Sequence, residues 1–205
     1  MFGLSVVTTL LAVKYLDRFL GSNRFDVRPV QGWLFHLVAN ACQTLAIKFH
    51  ESLQLDSDLT QKHVDIAFDR VCVRKMESLV LRELGWNLND VVPYAYIPGL
   101  LNLLRFQGED CARILGRSEV YLLSILYDAD FVRWPPSVVA CAIVSVLLED
   151  EGLNMDGVIS QLCSMLPEID RAHVHTCAMH IDAFRSALSS TQSHESTPLP
   201  ACGMT

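Results

Sequence analysis

An all-α fold is predicted by three features of this 205-residue sequence. Apolar residues recur at helical spacing through most of it, and no segment sustains the alternation and hairpin turn signals of strands. Glycines, prolines and capping residues punctuate the periodic runs at intervals suited to helices.

The first run places Leu4, Val7, Leu10, Leu11, Tyr15 and Phe19 on one helical face. Gly21 is expected to end that helix in a left-handed conformation. After Pro29, residues 31–49 set Leu34, Leu37, Val38, Ala41, Leu45 and Phe49 on one face. Ala39, Ala41 and Ala46 allow close approach by neighbours, so this reads as the central helix of its lobe. Residues 51–58 form a polar connection, and Ser57 or Asp58 can cap a short helix over 59–68. Val73, Met76, Val80 and Leu84, followed by Gly85, define a further helix.

Asn87 to Pro93 reads as a linker, because Asn89-Asp90 and a proline separate two strongly periodic regions. A second lobe follows, with helices expected over 94–106, 119–132, 136–148, 158–165 and 169–188. Pro98-Gly99 disfavours the start of the first of these, which is expected to begin late or kink. Pro136 suits a first helical position, where its missing N–H is not needed. From Ser189 onward the composition turns to Ser, Thr, Pro and Gly, and a disordered tail is expected over 189–205. The expected organisation is one lobe over 1–88, a second over 92–188, and that tail.

Composition narrows the function. With 16 basic and 23 acidic side chains the net charge is −7, so nucleic acid is a poor partner. The seven cysteines are scattered, odd in number and free of any C-x-x-C pair, which points to free thiols in a reducing, intracellular setting. Met1 to Val13 is apolar but lacks a basic start and a cleavage site, and it is too short to span a bilayer; no membrane partner is expected. There is no Gly-rich phosphate loop, H-E-x-x-H, G-x-S-x-G or spaced acidic metal loop, so an enzyme is not expected.

His173, Cys177 and His180 share one helical stripe and could supply three zinc ligands, but a fourth from another element is needed. The competing assignment puts Val174, Cys177, Ala178, Ile181, Phe184 and Leu188 on a core face with the histidines at its edge, and no metal site is expected. Lys48 and Glu77 are more unusual, each a single charge in an otherwise apolar helical run. Lys48 could simply favour the carbonyl end of its helix, and Glu77 could be solvated.

Longer segments change that balance. Leu11-Ala12-Val13-Lys14-Tyr15-Leu16-Asp17-Arg18-Phe19-Leu20 resembles the L-A-x-x-Y-L-D-R-F-L segment of the cyclin box. Residues 42–49 resemble the family's C-x-x-L-A-x-K helix, and residues 74–88 its R-M-E-x-x-V-L-x-x-L-x-W-x-L. Val92 to Ile97 and Pro136 to Ala142 resemble the T-P-x-x-F and P-S-x-x-A-x-A segments of the second cyclin fold. The sequence resembles cyclins, most like plant D-type ones, over nearly all of its periodic length.

The resemblance implies two tandem five-helix cyclin lobes and a non-catalytic regulatory subunit of a cyclin-dependent Ser/Thr protein kinase acting at the G1/S transition. Lys48 and Glu77 match the family's kinase-contacting lysine and glutamate. ATP and Mg²⁺ would belong to the kinase, with no cofactor held here, and the location implied is nucleus and cytoplasm.

Departures from the family carry further expectations. The first cyclin-box helix, with its Met-Arg-x-x-Leu element, has no counterpart before Met1, and no L-x-C-x-E motif is present. The first lobe is thus expected to lack its first helix, and the substrate groove to survive only as a remnant with Phe35-His36 where the family has Leu-Gln. An uncovered apolar face would cost about 10 kcal/mol of gross burial at ~25 cal/mol per Å², making a marginal fold or a non-activating cyclin fragment the alternative. A cyclin-fold transcription factor is disfavoured by the acidic charge. Thr197-Pro198 is a minimal proline-directed phosphorylation site.

Overall fold

The computed structural model describes residues 4–22, 32–50 and 68–192. These residues form eight α-helices and two short 3-10 turns, with no strand among the described residues. The all-α prediction holds.

Helix α1 (Val6–Leu20) starts at Ser5, whose hydroxyl accepts from the Thr8 N–H at 3.2 Å. Its inward face buries Leu10, Leu11, Tyr15 and Phe19 against α2 (Gly32–His50). Gly21 closes α1 at φ −73°, right-handed rather than left-handed as expected. Its N–H reaches the Asp17 carbonyl at 2.8 Å, so the last turn simply continues and no left-handed residue is required. Helix α2 is buried almost all round from Leu37 to Ile47, lies between α1 and α3, and is the central helix of its lobe.

Helix α3 (Arg70–Glu83) is capped by the Asp69 side chain. It ends in a left-handed pair, Gly85 at φ +64° and Trp86 at φ +58°, with the Trp86 N–H on the Leu81 carbonyl and the Gly85 N–H on that of Arg82. This crossed pair satisfies the carbonyls that a helix end would otherwise leave open. The short helix expected over 59–68 lies outside the described residues apart from Phe68, which packs on the core.

The second lobe opens with a 3-10 turn at Pro93–Ala95 and helix α4 (Ile97–Leu103), with Pro98 in its first turn, so the helix begins late as predicted. Helix α5 (Gly108–Ile125) begins eleven residues before the expected start at Glu119. Its buried stripe is Ile114, Ser118, Leu122 and Ile125, and the serine at a core position hides the apolar period. Ionic contacts from Arg113 and Arg117 to Glu151, and from Arg117 to Asp150, hold this polar first half in place.

The same helix stops at Ile125, short of the expected Val132. The Asp128 carboxylate accepts from the Asp130 N–H at 2.9 Å and starts a separate 3-10 turn, Ala129–Arg133. Helix α6 (Pro136–Asp150) is buried on every side from Val138 to Leu148 and forms the centre of the second lobe, touching α4, α5, α7 and α8.

Helix α7 (Met155–Met165) starts three residues before Val158, because Asn154 caps it through the Gly157 N–H. Helix α8 (Arg171–Gln192) continues four residues past the expected end at Leu188, so residues 189–192 are helical and not tail. The expectations for residues 193–205, Thr197 among them, lie outside the described residues.

One apolar core joins both lobes through the linker residues Leu88 and Val92. Three side chains on one side of α1 fasten that linker. The Tyr15 hydroxyl donates to the Leu88 carbonyl at 2.8 Å, Lys14 to that of Val91 at 3.3 Å, and Arg18 to that of Asn87 at 2.9 Å while pairing with Asp90. The linker is a packed element that fixes how the lobes meet.

Candidate functional site

Helix α3 turns Val73, Met76, Glu77 and Val80 inward, so Glu77 occupies a position that its helix otherwise gives to apolar residues. An isolated carboxylate there would be costly, since burial removes its hydration. Lys48, in the last turn of α2, resolves the problem from 29 residues away. Its Nζ lies 2.7 Å from both Oε1 and Oε2 of Glu77.

The two partners differ in exposure: the Lys48 side chain is 56% exposed and that of Glu77 10%. The carboxylate is therefore sunk between two helices and the ammonium lies over it at the surface. Exposed Phe49 adjoins the lysine, and Arg70, Arg74 and half-buried Leu81 share the α3 stripe of Glu77 at i−7, i−3 and i+4. A fixed pair of opposite charges beside apolar and cationic side chains can orient a partner segment.

The other residues singled out in the sequence do not join this pair. Phe35 and His36 are both exposed near the start of α2, their rings edge-to-face at 6.4 Å. They lie about 20 Å from Lys48 along the helix, at 1.5 Å per residue. The His173, Cys177 and His180 side chains do not converge on a common ligand position. Cys177 is fully buried and its thiol pKa is pushed up to about 12 by burial, while exposed His173 sits 3.6 Å from Asp170 and His180 bonds Asp128 at 2.9 Å. Val174, Cys177, Ala178 and Ile181 form the core face of α8.

Two arrangements were not legible in the sequence. One is the linker clamp of Lys14, Tyr15 and Arg18, which depends on contacts some 70 residues apart. The other is a surface group of Asp128, Asp130 and His180, whose ligand-type atoms lie within 4.8 Å of one another. Asp128 is already committed there to the Asp130 N–H and to His180, bonds that with the nearby charges hold its carboxyl below the usual carboxylate range.

Comparison with known proteins agrees with this architecture. Residues 1–89 match the model of the cyclin N-terminal domain and residues 91–198 that of the cyclin C-terminal domain. Cyclin-D3-3 of Arabidopsis thaliana is 31% identical over 178 residues, covering 86% of this chain and 48% of that protein. Cyclin-D4-1 of Arabidopsis thaliana is 34% identical over 149 residues, 71% of this chain and 48% of the relative. Cyclin-D1-2 of rice, Oryza sativa subsp. japonica, is 30% identical over 145 residues, 70% and 40% of the two chains. The chain thus spans about half the length, or less, of these curated relatives. Among solved structures, a viral cyclin from herpesvirus saimiri superposes with a TM-score of 0.76 at 14% identity, covering 90% of this chain and 78% of the viral one, and so shares its fold. Two matching domain models over nearly the whole sequence, with D-type relatives above 30% identity, establish that this chain belongs to the cyclin family.

Proposed function

We propose that this chain is a regulatory subunit that binds and activates a cyclin-dependent Ser/Thr protein kinase, acting at the G1/S transition. The observation that carries the proposal is the Lys48–Glu77 pair, a carboxylate held at a core-facing position by a surface ammonium in a chain whose relatives are D-type cyclins. A buried carboxylate held by a surface ammonium is an expensive way to join two helices, because an apolar residue of similar size at position 77 would serve as well. Its use here is better explained by recognition. The kinase's mobile regulatory helix is held against the Lys48 and Glu77 face in the orientation that completes the kinase active site.

On this proposal the cyclin supplies binding energy and geometry, and ATP, Mg²⁺ and the transferred phosphoryl group stay with the kinase. The chain is not itself an enzyme. Its net charge of −7 supports a protein partner over nucleic acid, and no helix among the described residues is long and apolar enough to cross a membrane. Residence in nucleus and cytoplasm belongs to the same proposal and is checked by imaging a fluorescent fusion.

The test is reconstitution with a purified cyclin-dependent kinase, comparing wild type with Lys48→Glu, Glu77→Lys and the double reversal. Each single reversal is expected to lower kinase affinity by at least roughly ten-fold, about 1.4 kcal/mol. The double reversal restores the internal pair but presents it backwards, so folding recovers and kinase activation does not. Equal activation by wild type and double reversal would overturn the proposal. Kinase retained without activation would leave a binding subunit that lacks the switch.

A further inference from the structure

Helix α8 and the 3-10 turn after α5 bring an imidazole and two carboxylates to one spot on the second lobe. The His180 Nε2 lies 2.9 Å from Oδ2 of Asp128, 52 residues away in sequence. One ligand-type atom each of Asp128, Asp130 and His180 lies within 4.8 Å of the other two. Helical spacing alone groups His180 with His173 and Cys177, but Cys177 turns into the core and the fold gives this histidine the two aspartates instead.

Two of the three groups are held in place. Asp128 uses its Oδ1 to accept from the Asp130 N–H at 2.9 Å, which leaves Oδ2 turned toward the histidine. The His180 ring packs on buried Phe131 at 5.1 Å between centroids, and Phe131 meets Phe184 edge-to-face on its own account at 6.4 Å. Fixed first ligands with hydrogen-bonded and apolar support behind them are what a metal site needs. Asp130 is the adjustable member, its side chain 60% exposed. Arg133 competes for it at 3.3 Å, yet the same guanidinium lies 5.4 Å over the Trp134 ring, a contact that remains to it when the carboxylate turns away.

We propose that Asp128, Asp130 and His180 bind a zinc-class divalent ion, with water completing the coordination, and that the ion fastens α8 to the turn that follows α5. Donors at the usual zinc distances in a tetrahedron stand roughly 3.4 Å apart, so the His180–Asp128 pair opens slightly and Asp130 swings inward to meet the ion. The ion takes the place of the proton that Nε2 and Oδ2 share, and the imidazole keeps its N–H at Nδ1. One imidazole with two carboxylates suits zinc over magnesium or calcium, which favour all-oxygen surroundings. Neither Lys48 nor Glu77 takes part, so the site stands or falls independently of the kinase reading.

The experiment is calorimetric titration of the full chain with zinc chloride under reducing conditions, followed by thermal melting with and without the ion. Wild type is expected to bind Zn²⁺, to melt higher in its presence, and to show neither response to Mg²⁺. Asp130→Ala, at an exposed position that does not threaten folding, and His180→Asn should each weaken this binding by at least about ten-fold, the lower bound set by losses of mere supporting groups around metal ligands. The zinc-dependent rise in melting temperature should disappear with it. His175→Ala, a neighbouring exposed histidine of α8 beside Asp156, should bind Zn²⁺ as wild type does. No zinc binding by wild type, or affinity and thermal shift both retained in Asp130→Ala and His180→Asn, would overturn the proposal; the second result would place the ion on other side chains, such as the exposed Cys72.

Discussion

Both carboxylate oxygens of Glu77 lie 2.7 Å from the Nζ of Lys48, yet the glutamate is buried and the lysine open to solvent. The asymmetry makes the two halves of the pair unequal in stability. Removing the ammonium strands a buried carboxylate, whereas removing the carboxylate leaves an exposed ammonium that water can solvate.

Lys48→Met is therefore expected to destabilise the fold by about 1–3 kcal/mol, below the full penalty of a deeply buried pair because the lysine is half exposed. Glu77→Gln, which keeps shape and removes charge, is expected to cost less, and adding it to Lys48→Met should recover part of the loss. Urea unfolding of the four proteins measures this directly. A Glu77→Gln penalty larger than that of Lys48→Met would mean that the carboxylate draws its stabilisation from groups other than Lys48.

The long apolar runs that marked α2 and α6 in the sequence reflect burial on nearly all sides, wider than the single apolar face expected for α2. The same criterion failed for the first half of α5, because Ser118 sits in the buried stripe and its hydroxyl is satisfied by the Leu115 carbonyl. Periodicity detects apolarity, and a serine that bonds its own helix is as acceptable in a core as an alanine. The pairing of Lys48 with Glu77 could be suspected from two charges in apolar runs and from family resemblance, but its geometry depends on how α2 and α3 pack. The linker clamp had no local signal, since Arg18 and Tyr15 look like ordinary members of an amphipathic helix until the chain returns beside them.

Thiol reactivity follows from burial. Cys42, Cys141 and Cys177 are all buried, and loss of hydration pushes each pKa up to about 12, leaving almost no thiolate at neutral pH. Cys72 is exposed on α3. Alkylation of the native protein at pH 8 is expected to label Cys72 early and to spare those three until the fold opens. Mass spectrometry of labelled peptides over time checks it. Early labelling of Cys141, at the centre of α6, would show that the second lobe opens locally far more readily than its packing implies.

The linker clamp gives a pH signature. The Tyr15 side chain is fully buried, donates to the Leu88 carbonyl at 2.8 Å, and has a pKa raised from 10.0 to about 12, first by desolvation and then by the Asp90 charge. The folded state holds the phenolic proton more tightly than the unfolded chain does. Its contribution is fully present below pH 10 and falls away as pH rises from about 10 to about 12, by on the order of 2–3 kcal/mol at 1.36 kcal/mol per pH unit. Buried cysteines also ionise in this range, so the informative quantity is the difference between wild type and Tyr15→Phe. At pH 8 the variant should be less stable by about 1–2 kcal/mol, the value of a buried hydrogen bond whose acceptor is left open. As pH rises toward 11 that gap should narrow and then reverse, because phenylalanine has no proton to lose. A constant gap across this range would mean that Tyr15 is not held neutral by the linker, and that the contact joining α1 to Leu88 opens without unfolding the lobes.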